Sequence, residues 1–422
     1  MKDSGIEWIG EIPEGWEVGQ IGQLYSERRT KVSDKDYPPL SVTMKGILPQ
    51  LSTAAKTDAH DDRKLVCKGD FAINSRSDRR GSCGISEQDG SISLINTVLQ
   101  PRGEMNPGYY NWLFHTSMFA DEFYKWGHGI VDDLWTTGWS DMKKIGVPVP
   151  SKCEQKQIAE HLNFECSNID TILSRTRSSI EEYKKLKQAV ITQAVTKGVR
   201  GEREMKDSGV EWTGEIPVNW TIQRFARVAE VKSNLVSPDN YLEYPQISPE
   251  NIEKDSGKLL LPCRTVAEVG VISGNHLFYK GQILYSKIRP KLNKVCIAPF
   301  DGLCSADMYP IESKNDTRYI MYCILSNGFL QQVSMITENR VKMPKINQVE
   351  LSKVLVAIPE TIAEQKEIAD YLDAKCTEID GLIAKKEQLV KELEGYKKSL
   401  IYEVVTGKRE IFTDITRKFP NI

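Results

Sequence analysis

Two long segments of the chain carry apolar residues three or four positions apart, a spacing that places side chains on one face of a helix. The first segment has this pattern at Ile169, Ile172, Thr176, Ile180, Tyr183, Leu186, Val190 and Ala194. The second has it at Ile379, Leu382, Leu389, Leu393, Tyr396, Leu400 and Val404. No proline interrupts these segments after Pro150 and Pro359. The pattern predicts two helices of about 40 residues, each roughly 60 Å long, that pack on each other as a coiled-coil spacer; a core helix in a bundle is the alternative.

Shorter apolar stretches precede each predicted helix. They are FAINSRS and SISLINTVLQP in the first half of the chain, and QILYSKIRP and LCSADMYPI in the second. Gly, Asp and Pro lie between them, which predicts short strands joined by turns.

The two halves of the chain repeat one another. Residues 1–16 and 205–220 are identical at 12 of 16 positions, and Glu154-Gln155-Lys156 recurs as Glu364-Gln365-Lys366. A repeat of this length indicates a duplicated structural unit. We therefore predict an α+β fold with a pseudo-two-fold internal repeat. Mixed α/β domains at 1–150 and 205–359 are separated by helical spacers at 151–204 and 360–422, which form an antiparallel coiled coil.

Composition excludes several classes of protein. The chain of 422 residues is 40% hydrophobic and 27% charged, with a formal net charge of −2, which is typical of a globular protein. No apolar stretch approaches the 18 or so residues that a membrane helix needs. The nine cysteines form no CxxC pair and the five histidines show no metal-ligand spacing. These patterns predict a cytoplasmic protein with reduced thiols and no metal site.

The chain has no Gly-x-x-x-x-Gly-Lys-Ser/Thr phosphate-binding loop, no Asn/Asp-Pro-Pro-Tyr motif and no Asp…Glu-x-Lys nuclease cluster. An independent enzyme would need such a constellation. It is therefore the least favoured interpretation.

Three motifs recur in the same order in both halves and carry a family resemblance. They are the openings IPEGWEV and IPVNWTI, the Glu-Gln-Lys entry to each long helix, and the endings AVTKG and VVTGK. Together they resemble the specificity subunit of type I restriction-modification systems over essentially the whole chain. The first ending departs from the family's usual glycine-then-lysine order, which the second keeps at Gly407-Lys408.

The resemblance implies a non-catalytic subunit that binds double-stranded DNA. Each target-recognition domain would read one half of a bipartite, asymmetric DNA site, and the helices would set the gap between the halves. Two methyltransferase (modification) subunits would dock on the chain, and motor-nuclease (restriction) subunits would join them. S-adenosylmethionine, ATP and Mg²⁺ would belong to those partners, so that no cofactor is expected on this chain.

Basic residues at matched places in the two halves are the first candidates for DNA contact, because phosphates attract cations and base edges need donors and acceptors. In the second half they follow one predicted strand; with a neighbouring serine, the candidates are Lys280, Ser286, Lys287, Arg289, Lys291 and Lys294. In the first half the candidates are Ser75, Arg76, Arg79 and Arg80. A solvated basic face without a ligand is the alternative.

A second candidate surface lies just before each long helix. Its members are Thr136 and Thr137 in the first half, and Arg340, Lys342 and Lys345 in the second. The resemblance implies DNA contact for some of them. Trp135 and Trp139, in the same stretch, are more simply explained by core packing. A weaker third candidate is the pair of turns PPLSVT and PQISPEN.

Two functions therefore remain in competition. The favoured one is a DNA-recognition and assembly subunit, which should lose DNA affinity steeply as salt rises. The alternative is a coiled-coil adaptor that binds proteins and has no specificity for DNA.

Overall fold

The computed structural model describes residues 1–50, 60–129, 135–340 and 342–411. Contacts within the chain group it into two compact units. The second unit comprises residues 177–387, and the first unit comprises the described residues on either side of that range. The domain boundaries predicted from the sequence remain a prediction, since each long helix is divided between both units.

The first unit is built from short strands and four short helices, followed by half of a long one. Its strands are β1 (Lys2–Asp3), β2 (Glu11–Ile12), β3 (Glu17–Gln20), β4 (Tyr25–Glu27), β5 (Lys31–Val32), β6 (Leu40–Thr43), β7 (Gly46–Pro49), β8 (Arg63–Val66), β9 (Phe71–Asn74), β10 (Cys83–Ile85), β11 (Gly90–Ile92), β12 (Asn96–Pro101) and β13 (Gly146–Val149). Its helices are α1 (Ile21–Leu24), α2 (Pro107–Phe114), α3 (Ser117–Lys125), α4 (Trp139–Met142) and the start of α5 (Lys152–Lys197).

The second unit repeats this plan. Its strands are β14 (Met205–Asp207), β15 (Glu215–Pro217), β16 (Thr221–Arg224), β17 (Ala229–Val231), β18 (Leu235–Val236), β19 (Gln246–Ile247), β20 (Asn275–Phe278), β21 (Ile283–Ser286), β22 (Val295–Ile297), β23 (Gly302–Cys304), β24 (Met308–Ser313) and β25 (Leu355–Ile358). Its helices are α6 (Phe225–Val228), α7 (Val266–Val269), α8 (Thr317–Leu325), α9 (Asn327–Thr337), α10 (Gln348–Lys353) and the start of α11 (Ile362–Val405), whose last turns belong to the first unit.

Matching strand orders confirm the predicted internal repeat. The four-stranded sheet β10-β9-β12-β4 corresponds to β22-β21-β24-β17, and β11-β8-β5 corresponds to β23-β20-β18. The second unit extends the latter sheet with β19, which pairs in parallel with β23. The first unit has the β6-β7 hairpin instead. The strands predicted from the short apolar stretches are therefore present in both halves, and the α+β assignment is confirmed.

The repeated sequence motifs fasten each unit to the start of its long helix. The indole nitrogen of Trp16 donates to Glu154 Oε1 at 3.0 Å, and that of Trp220 donates to Glu364 Oε1 at 3.2 Å. Glu154 also forms a capping box with Ser151, which satisfies free backbone groups at the first turn of α5. Burial of Trp16 and Trp220 confirms their structural role.

The ends of the long helices are fastened in the same way. The hydroxyl of Tyr109 donates to the carbonyl of Val405 at 2.7 Å in the first unit. The hydroxyl of the equivalent Tyr319 lies 3.3 Å from the carbonyl of Val195 in the second. Each unit therefore holds the beginning of one long helix and the end of the other.

The long helices pair antiparallel, as predicted. In the second unit Lys187 contacts Asp380 at 2.8 Å, and Arg200 contacts Glu367 at 2.7 Å, so that residue numbers fall along α11 as they rise along α5. In the first unit Lys397 contacts Asp170 at 2.6 Å.

The predicted contact face of these helices was partly wrong. Ile172 and Leu186 are about half exposed, and so are Leu382, Leu389 and Tyr396. On α5 the buried positions run through Ile169, Leu173, Thr176, Ile180, Lys187 and Ile191. Ile169, Thr176 and Ile180 belong to both the predicted and the observed face. In the second half of α5, Lys187 and Ile191 are buried, whereas the predicted Leu186 is exposed.

No helix in the described part of the chain is long and apolar enough to cross a membrane.

Candidate nucleic-acid interface

The two surfaces predicted separately from the sequence meet in the second unit. The loop that follows β21 pairs with the segment before α10: the amide of Arg289 donates to the carbonyl of Pro344 at 2.8 Å, and the amide of Ile346 donates to that of Lys287 at 2.9 Å. Ile288 and Lys345 form a β-bridge between these contacts. We call residues 286–294 together with 342–346 the second basic edge.

The first unit contains the same arrangement. The loop that follows β9 pairs with the segment before α4: the amide of Ser77 donates to the carbonyl of Trp135 at 2.9 Å, and the amide of Thr137 donates to that of Ser75 at 2.9 Å. Arg76 and Thr136 form the equivalent β-bridge. We call residues 75–80 together with 135–137 the first basic edge. Residues 130–134 and 341 of the predicted surfaces lie outside the described residues.

Two candidates on the first basic edge have buried side chains that make hydrogen bonds inside the fold. Ser75 is buried and its hydroxyl lies 2.9 Å from that of Thr97. Thr137 is fully buried and its hydroxyl donates to the carbonyl of Phe123 at 2.8 Å. Thr136 is exposed, so it is the threonine of this pair whose side chain reaches the surface.

Carboxylates accompany all three arginines on the first basic edge. Arg76 contacts Asp78 at 3.0 Å, and Arg79 approaches the same carboxylate at 3.8 Å. Arg80 pairs with Asp121 and lies 5.7 Å from the ring centre of Tyr124. Arg79 is the most open of the three, with 68% of its side chain exposed. The positive charge of this edge is therefore largely balanced locally.

Several candidates on the second basic edge also have internal partners. The hydroxyl of Ser286 is buried and donates to the carbonyl of Ile288 at 3.1 Å, and the ammonium group of Lys294 donates to the carbonyl of Pro249 at 2.7 Å. The ammonium group of Lys287 lies 5.3 Å from the ring centre of Tyr309. These contacts account for the polar groups of the three residues without a contact to DNA.

Two basic residues before α10 are held by acids. Arg340 pairs with Glu350; their hydrogen bond raises the pKa of the guanidinium group and lowers that of the carboxyl group. Lys345 contacts Asp307 at 2.9 Å. These pairings carry no signal in the sequence, because Glu350 on α10 and Asp307 in the turn before β24 come to the edge only in the folded chain.

Three cations of the second basic edge have no side-chain partner among the described residues: Arg289, Lys291 and Lys342. All three are exposed. The second basic edge therefore presents uncompensated positive charge where the first presents paired arginines.

Lys280 does not belong to this edge. It lies in the turn between β20 and β21, at the opposite end of β21 from Lys287, and its amide donates to Asp301 at 2.7 Å. The run of basic residues is continuous in the sequence, but the strand carries its two ends to different places.

One polar residue beside the second basic edge was missed by sequence reasoning. His276 on β20 is 7% exposed, and its Nδ1 has no hydrogen-bond partner among the described residues. Burial, and secondarily the charge of Lys287, lowers its pKa. A lone histidine in an apolar strand carries no sequence signal that distinguishes this environment.

Comparison with known proteins shows similarity to one kind of protein. The model of the type I restriction modification DNA specificity domain matches residues 217–392. The specificity subunit of the type I restriction enzyme EcoDI from Escherichia coli is 35% identical over 283 residues, which is 64% of this chain and 63% of that subunit. This chain is therefore similar to the specificity subunits of type I restriction enzymes.

Other specificity subunits match over greater lengths. The MjaVIII specificity subunit of Methanocaldococcus jannaschii is 24% identical over 424 residues, covering 94% of this chain and 93% of that subunit. The stretch that matches the EcoDI subunit spans less than two thirds of that protein.

Solved structures share the fold. A chain described under "Structural basis underlying complex assembly and conformational transition of the type I R-M system" has a TM-score of 0.71 at 11% identity, covering 94% of this chain and all of that one. The HsdS subunit from Thermoanaerobacter tengcongensis has a TM-score of 0.52 at 14% identity, covering 94% and 98%. The α+β architecture thus recurs in a specificity subunit at low sequence identity.

Proposed function

We propose that this chain is the DNA-recognition subunit of a type I restriction-modification complex and that each of its two basic edges reads one half of a bipartite DNA site. The observation that carries the proposal is the recurrence of one backbone arrangement with different side chains. The β-bridge between Arg76 and Thr136 corresponds to that between Ile288 and Lys345. If two units share one backbone arrangement but present different hydrogen-bond donors to the base edges, they would recognise different half-site sequences.

The proposal assigns catalysis to partner subunits. Two methyltransferase subunits would dock on the chain, motor-nuclease subunits would join them, and S-adenosylmethionine, ATP and Mg²⁺ would bind to those partners. Internal duplication supports two docking places for one kind of partner, since each unit holds the start of one long helix and the end of the other. The antiparallel helices would set the gap between the half-sites.

The first experiment removes charge from the second basic edge. Replacing Lys287, Arg289 and Lys291 together with alanine should weaken DNA binding by the complex and make it less dependent on salt, because each cation that neutralises a phosphate contributes about 0.9 to the magnitude of the slope of log affinity against log salt. A matched control replaces three exposed lysines elsewhere in the unit, Lys206, Lys353 and Lys366, with alanine. Equal effects of the two triple variants would contradict the assignment.

A second experiment separates the two half-sites. Exchange of residues 1–150 for the corresponding segment of another family member should change one half of the recognised sequence and leave the other half unchanged. Methylation patterns of DNA exposed to the assembled complex provide the readout. A change in both halves would refute reading by independent units, and the adaptor alternative predicts no sequence preference at all.

A further inference from the structure

Backbone strain in the described part of the chain is concentrated on the second basic edge. Among the described residues, the non-glycine residues with positive φ are Asp255 (56°), Arg289 (46°), Asn293 (43°) and Met343 (47°). The amide of Asp255 donates to the carbonyl of Asn293 at 3.4 Å, and the amide of Arg289 donates to the carbonyl of Pro344, which follows Met343. Each such residue costs on the order of 1–3 kcal/mol, and strain of this kind clusters at functional sites.

The conformation of Arg289 is less expected than that of Asn293. Asparagine tolerates the left-handed region, and Asn293 corresponds to Gly81, which has a φ of 74° in the first unit. That turn is therefore common to both units. Arg289 corresponds to Ser77, which is not among the residues with positive φ. The shared fold does not require the conformation of Arg289.

The backbone of Arg289 is nevertheless held on both sides. Its amide donates to the carbonyl of Pro344 at 2.8 Å, and its carbonyl accepts from the amide of Leu292 at 2.8 Å. Pro290 is buried directly after it. The guanidinium group is exposed and has no partner among the described residues. The fold thus fixes the base of a long side chain and leaves its end free.

Lys291 differs from Arg289 in having a counterpart in the first unit. The offset of 212 residues places Lys291 opposite Arg79, and both side chains are exposed cations on short 3-10 helices, Pro290–Leu292 and Ser77–Arg79. A position that keeps its charge while neighbouring positions change suits a contact that carries no sequence information, such as a phosphate.

We propose that Arg289 reads a guanine in the major groove, whereas Lys291 and Arg79 hold phosphates of the two half-sites. An arginine offers a planar fork of donors that matches O6 and N7 of guanine, and a fixed backbone aims that fork. This inference rests on the proposed function, because it assigns chemistry to residues of the same edge.

Three single variants in the assembled complex test the inference by selection from a DNA library with randomised half-sites. Arg289→Lys keeps the charge and loses the planar fork, so the preference for guanine at one position should weaken, by less than the roughly 5- to 150-fold that a complete bidentate contact contributes, with an unchanged salt slope. Arg289→Gly suits the left-handed backbone and should lose the whole preference, with a smaller change in the salt slope than Lys291→Ala, because the proposal assigns Arg289 to a base and not to a phosphate. Lys291→Ala should reduce the magnitude of the salt slope by about 0.9, the contribution of one phosphate contact, and should keep the base preference at every position.

Unchanged guanine preference in both Arg289 variants would overturn the base-reading role. A change of preference in Lys291→Ala would overturn the phosphate role. Loss of preference at many positions in Arg289→Gly but not in Arg289→Lys would show that the residue only shapes the loop, and would also overturn the inference. Absence of salt-dependent DNA binding in the unaltered complex is a different result, because it refutes the proposed function itself.

Discussion

Removal of the carboxylate of Asp380 should destabilise the helix pair of the second unit far more than removal of its counterpart Asp170 destabilises that of the first. Asp380 accepts two hydrogen bonds from Lys187, at 2.8 and 3.0 Å, and a further contact from Lys258 at 2.6 Å. The side chain of Lys187 is only 6% exposed. Asp380→Ala would therefore leave a buried ammonium group without its carboxylate partner.

The two pairs differ in burial rather than in chemistry. Breaking a buried ion pair by removing one partner costs about 3–5 kcal/mol, and the 19% exposure of Asp380 places this case near the lower end. Asp170 is 58% exposed and Lys397 is 25% exposed, so that Asp170→Ala should cost less than about 1 kcal/mol. These positions are equivalent in the repeat, which makes each variant the control for the other.

Amide hydrogen exchange is the suitable assay, because a chain of two units does not have a single unfolding free energy. A loss of about 3 kcal/mol raises the opening equilibrium constant more than about 100-fold, since each 1.4 kcal/mol corresponds to a factor of ten. Protection of the segment 362–387 should fall by that factor in Asp380→Ala, whereas Asp170→Ala should change protection of the segment 388–405 only a few-fold. An equal or larger effect of Asp170→Ala would refute the burial argument. The double variant Lys187→Met with Asp380→Leu should recover most of the loss.

Three further outcomes are expected. Tyr319→Phe removes a buried hydroxyl that lies 2.8 Å from the carbonyl of Ala357 and should cost about 1–2 kcal/mol in urea unfolding of the second unit; no change would refute a contribution of this bond. The pKa of His276 is lower in the folded chain than in the unfolded chain, so the unfolded chain takes up a proton at higher pH and stability should fall as pH drops below about 6.5. His276→Gln should reduce that fall in thermal melts, and an identical pH profile of the two proteins would contradict it. In the repeat, Lys397 is the equivalent of Lys187, which pairs with Asp380. A chain beginning at Met205 retains both Asp380 and Lys397, so two copies should pair through these residues and dimerise in sedimentation experiments, and Lys397→Ala should weaken the dimer. A monomer at all concentrations would refute this pairing.

The sequence determined the architecture because the signals involved are repeated and local. Helical spacing continued over more than 40 residues predicts α5 and α11 whatever surrounds them, and short stretches between turn residues predict the strands. Duplication of the motifs at Trp16 and Trp220 predicted two equivalent units, and those tryptophans are buried in both. The same signals, taken over the whole chain, indicated the resemblance to type I specificity subunits.

Tertiary structure decided which predicted residues share a surface and which are free. Ser75, Thr137, Ser286 and Lys294 have partners inside the fold, and Lys280 lies at the other end of its strand; neither fact is local in the sequence. On α5 the charged Lys187 is buried and the apolar Leu186 is exposed, because burial depends on the partner helix and not on hydropathy alone. The strained backbone of Arg289 is held by Pro344, 55 residues away along the chain, and contacts of that separation exist only once the sheets have paired.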